Sequence, residues 1–216
     1  NTPRLPMPNF HNGGEELFSQ NYFGSGLLMG VPQGATLGNS VSHKKYKDAL
    51  QSLNKKGVLH TGDPKCLDKS ASGKPIAKQQ KSLAFDKHNN KLFAEAIALK
   101  LNMAASQTVK FPVGFGELTY QDISNPSNPF NGLLVSAIAA RADSILSCKT
   151  VHGTDTVTPQ IAYEVIRSLD TAFYGPVDTI GFATKTVMKG VKRLFELAYL
   201  HQTPGVTPVS VPSADA

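Results

Sequence analysis

No apolar run near 18 residues occurs in the 216-residue chain, which excludes a transmembrane helix. The frames that mark common chemistries are missing too. There is no GxSxG around a serine, no HExxH or HxxxH, and no DxDxDG for calcium. The glycines at 24–26, GSG, lack the GxGxxG or GxxxxGK[ST] frame and the following helix, so they read as tight-turn residues. Cysteine is scarce. Cys66 and Cys148 belong to no CxxC or Cys/His spacing, which argues against metal binding. In an exported protein a disulfide between them would pin the basic segment to the helix expected over 132–148, restricting the unfolded chain by roughly 3 to 5 kcal/mol. Two free buried thiols are the alternative.

The six histidines, His11, His43, His60, His88, His152 and His201, are scattered and read as structural or solvated. Ser147, His152 and Asp155 are neighbours in sequence without an orienting context, so no hydrolase triad is read from them. Asp170 and Asp178 flank a helix end and a turn, where carboxylates cap backbone amides. Catalytic residues, metals and cofactors are therefore not expected.

What the chain does have is an uneven charge. The net charge is +6, yet Lys44–Lys91 holds 12 lysines against Asp48, Asp63, Asp68 and Asp86, a local excess of +8, leaving −2 for the rest. Such an excess either binds polyanions or forms a solvated face. The segment contains no arginine, and its aromatics are Tyr46 and Phe85. Nucleic-acid readers favour arginine and stacking aromatics, so an acidic polysaccharide is the better match. Lys44, Lys45, Lys47, Lys55 and Lys56 are the candidate contacts.

The longest helical periodicity lies at Asn90–Ser106, where Leu92, Ala96, Leu99 and Met103 form one stripe and Phe93, Ile97, Leu101 and Ala104 the next. This predicts a central helix packed on two sides, with Glu95, Lys100 and Asn102 on a half-exposed edge. Further helices are expected over Ser42–Asn54 with Ser42 as N-cap, over 132–148, from Thr158-Pro159 to about Phe173, and from about Ile180 to Leu200. Between Val58 and Asn89 the pattern weakens to a long loop with one helical turn around Ile76–Leu83. Short strands or a compact loop layer suit Glu15–Gly38, and alternation from Val109 to Phe115 predicts an edge strand.

The fold class read from this is mainly α. It is a bundle of about four to five helices, with short strands or extended segments near the N-terminus and around 109–120. Residues 1–14 form an extended arm, 15–200 a single helical domain with a Lys-rich loop at 55–91, and 201–216 a Pro/Ser-rich tail. Opening at Asn1 rather than Met, the sequence has no basic–apolar–small signal pattern, so we expect a processed chain with its signal peptide removed.

The ordered segments EELFSQNYFG (15–24), LFAEAIALKLNMAAS (92–106), GFGELTY (114–120), NGLLVSAIAARADSIL (131–146) and SLDTAFYGPVD (168–178) carry a resemblance. Together they resemble an uncharacterised domain of secreted and surface-anchored bacterial proteins. That domain has an SQGGWG- or TQGYWK-like opening, an LALKLN helix, a GFGxL turn and a GTVD-like end. Its tryptophan is absent here, and the lysine-rich region has no counterpart in it. The resemblance implies export to the bacterial cell surface and supplies no catalytic residues. The resulting expectation is a non-catalytic structural or assembly protein. It would associate with itself or other envelope proteins through Leu5, Met7 and Phe10 of the arm and through apolar helix faces. A polyanion- or glycan-binding module built on the lysine segment is the alternative.

Overall fold

The computed structural model describes residues 13–19, 21–107, 114–148, 157–180, 187–192 and 194–204. The arm residues Leu5, Met7 and Phe10, the stretch Val109–Val113 and the tail beyond Pro204 lie outside them. In chain order the elements are α1 (Gly13–Ser19), β1 (Leu27–Met29), β2 (Val41–His43), α2 (Tyr46–Leu53), β3 (Asn54–Lys55), β4 (Val58–Leu59), α3 (Lys91–Gln107), β5 (Thr119–Tyr120), α4 (Val135–Leu146), α5 (Pro159–Asp170), β6 (Tyr174–Ile180), β7 (Val187–Val191) and β8 (Leu200–His201). The strands pair antiparallel as β1–β2, β3–β4, β5–β8 and β6–β7, so the architecture is mixed α and β rather than mainly α.

α3 is central, as its periodicity predicts, but it is enclosed far more fully than a two-sided helix would be. Of its 17 residues only Lys91, Lys100, Met103 and Gln107 escape burial. α5, α4, α1, α2 and β1 all pack on it. The alanines at 94, 96, 98, 104 and 105 allow this, because small side chains let neighbours approach on faces the large apolar stripes leave open. Glu95 and Asn102 are buried with the rest, which corrects their placement on a half-exposed edge.

The helix expected over 180–200 is replaced by β6, β7, a 3₁₀ turn at Leu194–Glu196 and β8. Its apolar spacing imitated a helix, but Thr179, Ile180, Val187 and Val191 are β-branched and pair between β6 and β7, Thr179 with Met188 and Ile180 with Val187. β8 then returns Leu200 and Leu197 to the core and pairs Tyr120 with Leu200. Ser42 is not a helix cap. It stands in β2, and α2 begins at Tyr46, where the Asp48 carboxylate accepts from Lys45 N at 3.2 Å. At α4 the start moves to Val135, because Gly132 turns the chain at φ 77° and Leu134 is extended.

No helical turn forms at Ile76–Leu83. That stretch runs extended beside residues 36–42, with Ile76 N on Asp68 O (2.8 Å), Ser42 N on Gln80 O (2.8 Å) and Gln80 N on Ser40 O (3.0 Å). The long loop is thus fastened by backbone bonds although half of its residues are exposed. Cys66 and Cys148 form a disulfide, with Cα atoms 5.0 Å apart, beside a bond from Leu67 N to Leu146 O (2.7 Å). It ties the basic segment to the end of α4, as the pairing predicts. Around the same corner Asp143 accepts from Gly30 N (2.9 Å) and from Lys100 (2.5 Å), whose ammonium also donates to Leu28 O (2.6 Å).

Replacing Cys66 and Cys148 together with serine is expected to lower the unfolding free energy by about 4 kcal/mol, given the 82-residue separation. Urea denaturation of the oxidised protein and the double variant measures it, and equal midpoints would contradict it.

Candidate functional site

The loop after β5 is built by its own asparagines and aspartate. Asp122 Oδ1 accepts from Ser124 N (3.0 Å), Ser124 Oγ (2.6 Å) and Asn125 N (3.1 Å). Asn131 Oδ1 accepts from Asp122 N (2.6 Å), and its amide donates to Asn125 O and Pro126 O. These are side-chain mimics of backbone turns, and they fix a segment that has no regular structure. Phe130, fully buried, anchors it from below, with the Arg141 guanidinium over its ring and donating to Pro129 O (2.8 Å).

Between this loop and α5 lies a cleft of about 400 Å³. Asp122, Asn125 and Asn128 edge the loop side, while Glu164 and Ser168 edge the α5 side over a floor that includes Ile161 and Val165. The hydrogen bond from Ser124 holds the Asp122 carboxyl below its ordinary range, so it is an anion at neutral pH. Burial, aided by the charge of Asp122, pushes the Tyr120 phenol up to about 12, so it stays protonated. No lysine, arginine or histidine is among the residues that line the cleft, and its charge comes from Asp122 and Glu164. Its chemistry is that of a fixed acceptor-rich surface with an apolar floor, suited to a hydrogen-bond donor or a cation on an aliphatic stem.

The candidate lysines are divided by the structure. Lys44, Lys45 and Lys47 are exposed around the start of α2 and make no ion pair among the described residues. Lys55 is paired with Asp86 at 2.5 Å, and Lys56 sits in the β3–β4 turn at φ 55°. The two groups stand at opposite ends of α2, which spans about 12 Å for its eight residues. They do not make one patch.

Two titrating clusters escaped the sequence reading. Asn90, buried just before α3, accepts from Phe93 N (3.3 Å) with its side chain, gives its own N–H to His60 Nδ1 (3.0 Å) and its amide to His88 Nε2 (3.1 Å). His60 in turn donates to Ser52 O (2.6 Å), and His88 to Lys69 O (2.9 Å). His43 donates to Leu27 O and lies 2.8 Å from Ser52 Oγ, which accepts from Leu83 N. With those partners all three rings are neutral, each lone pair facing a donor. Burial lowers their affinity for a proton, His43 to about 4 and the others by direction. His201 is exposed, whereas His11 and His152 lie outside the described residues.

The second cluster joins α3 to α5. Asp170 is buried with Asn102 Nδ2 on its Oδ1 (2.8 Å), while its Oδ2 meets no donor among the described protein groups. It faces the Glu95 carboxyl, and burial, then the Glu95 charge, hold a proton on Asp170 far above the ordinary carboxylate range. Burial raises Glu95 as well. A proton held between the two supplies the missing bond. Asp170 is therefore not the amide cap its position suggests. Periodicity puts Glu95 and Asn102 seven residues apart, two turns along one face, but gives no sign of Asp170 as their partner.

Among the described residues no group of three or more His, Cys, Asp or Glu side chains is arranged to hold a metal. Comparison with protein-family models, curated proteins and solved structures finds nothing that matches the chain.

The two clusters pull stability in opposite directions with pH. The histidines have folded affinities below their unfolded value of 6.5, so their contribution is complete above that pH and lost as pH falls, by about 3 kcal/mol for His43 alone near pH 4. Asp170 has a raised folded value, so its contribution is present in acid and lost as pH rises. In Asp170→Asn the amide donates to Glu95 without titrating. Urea denaturation from pH 5 to 8 is expected to show stability rising more steeply with pH in Asp170→Asn than in the parent protein. Parallel profiles would contradict the shared proton.

Proposed function

We propose that this chain is an exported, non-catalytic structural unit of a bacterial cell surface that associates with further copies of itself or with other envelope proteins. The observation that carries this reading is the Cys66–Cys148 disulfide, which links a loop of many exposed side chains to α4. Structural disulfides persist in oxidising compartments and are rare where thiols are kept reduced. The rest of the molecule supports the same reading. His60, His88, Glu95 and Asp170 are absorbed in holding α3 or the residue before it, and the lysine excess is concentrated in Lys44–Lys91, which suits association more than turnover. Among the described residues no helix is long and apolar enough to cross a membrane, so attachment through a helical span is not part of the proposal.

Size-exclusion chromatography with light scattering, on the full chain and on a chain lacking residues 1–14, tests the association. Concentration-dependent assembly that weakens on removal of Leu5, Met7 and Phe10 is expected. Monomers from both chains at high concentration would refute it.

A second reading, binding of an acidic polysaccharide, is favoured by one observation. Lys44, Lys45 and Lys47 crowd the start of α2, where the helix dipole disfavours cations, and nearby carboxylates leave them unpaired. Retention on heparin is expected to fall steeply with salt and to drop when these three are changed to glutamine, with little further effect of Lys55→Gln. Retention unchanged in the triple variant would exclude this reading.

A further inference from the structure

Two features of the surface complement each other. One is the cleft between the 121–131 loop and α5, whose charges are the carboxylates of Asp122 and Glu164. The other is the turn that leads into α2 together with the first turn of that helix, where Lys44, Lys45 and Lys47 project without ion-pair partners among the described residues. From these we infer that the cleft is the receptor for the lysine turn of a second copy of this chain. The inference rests on the reading of self-association and gives it a contact.

The chemistry fits at three points. A lysine has an aliphatic stem and a compact ammonium, and the cleft offers Ile161 and Val165 beneath two carboxylates. The Asp122 carboxylate is committed on Oδ1 to three loop donors, but Oδ2 has one long contact, 3.3 Å from Asn128 Nδ2, and retains acceptor capacity. Glu164 accepts from Gln160 at 2.7 Å through Oε1 alone. Because the loop is already fixed by Asn131 and Asn128, little ordering is needed on binding, which favours a receptor for a flexible cation.

Within one molecule the two features do not meet. α2 packs on α1, α3 and β2, while the cleft is formed by α5 and the loop after β5, so the turn of one copy reaches the cleft of another. A contact between two different surfaces is heterologous. Repeated, it builds a ring or an open chain of subunits. A single such contact is small and screened by salt, so its effect depends on repetition along an assembly.

Two variants test this. One neutralises the cleft, Asp122→Asn with Glu164→Gln, keeping the Asp122 turn bonds to Oδ1. The other neutralises the turn, Lys44→Gln with Lys45→Gln and Lys47→Gln. Urea denaturation first establishes that both fold as the parent does. By sedimentation at low salt, each variant alone is expected to self-associate at least tenfold more weakly than the parent. An equimolar mixture is expected to give a one-to-one heterodimer and nothing longer, since each partner keeps one working surface. Association unchanged in either variant, or no heterodimer from the mixture, overturns the inference. If assembly survives in both variants and disappears when residues 1–14 are removed, self-association stands and the cleft contact falls. A parent protein that is monomeric at every salt and concentration overturns both.

Discussion

Enclosing most of α3 leaves its buried polar groups no water to turn to, and the rest of the structure answers that constraint. Helix N–H groups at a first turn need acceptors, and Asn90 supplies one while binding two histidines that reach back to α2 and the 60–70 stretch. Midway along the helix, Glu95 and Asn102 find Asp170 at the end of α5. Lys100 finds Asp143 on α4 and a carbonyl of β1. α5, α4 and β1 are thus each held to α3 by a polar connection as well as by packing. Buried polar groups are costly when unsatisfied, so these bonds also specify which neighbour sits where.

The basic segment shows how a stretch poor in apolar residues is kept in place. Backbone bonds to residues 36–42 replace the missing hydrophobic contacts, and the disulfide fixes its position against α4. Gly30 and Gly62 allow the chain to come close here. A Cβ on either would lie 2.6 Å from a carbonyl oxygen, that of Asn39 or Asn89. Most of the lysines are free to face outward; Lys55 and Lys81 pair with Asp86 and Asp48, and Lys91 lies over the Tyr163 ring.

The sequence made the helices with strong local signals legible. Thr158 caps α5 through its hydroxyl with Pro159 behind it, and the apolar stripes of α3 and α4 mark their buried faces. Misreadings arose where tertiary pairing decides conformation. β6 and β7 fall in a stretch with helix-like apolar spacing, and what makes them strands is their pairing with each other, which local pattern does not encode. The polar clusters were hidden for a related reason. His43, His60 and His88 are far apart in sequence, as are Glu95 and Asp170, and nothing local to either names its partner. The acceptor-rich cleft depends on Asp122 and Glu164, which meet across a loop and a helix, and neither carries a motif.

The disulfide also sets how the molecule would carry a mechanical load. Tension applied between the two ends of the chain passes from Cys66 directly to Cys148, and the residues between them, α3 included, are bypassed. That segment would otherwise contribute up to about 280 Å of extensible length for its 82-residue separation. With the bond in place the central helix stays coiled behind a covalent shunt, while the flanking segments, which carry His43, His60 and Asp170, take up the strain. Pulled from both ends, the molecule would lengthen outside the Cys66–Cys148 segment and keep α3 and α4, which lie within it, from being drawn out.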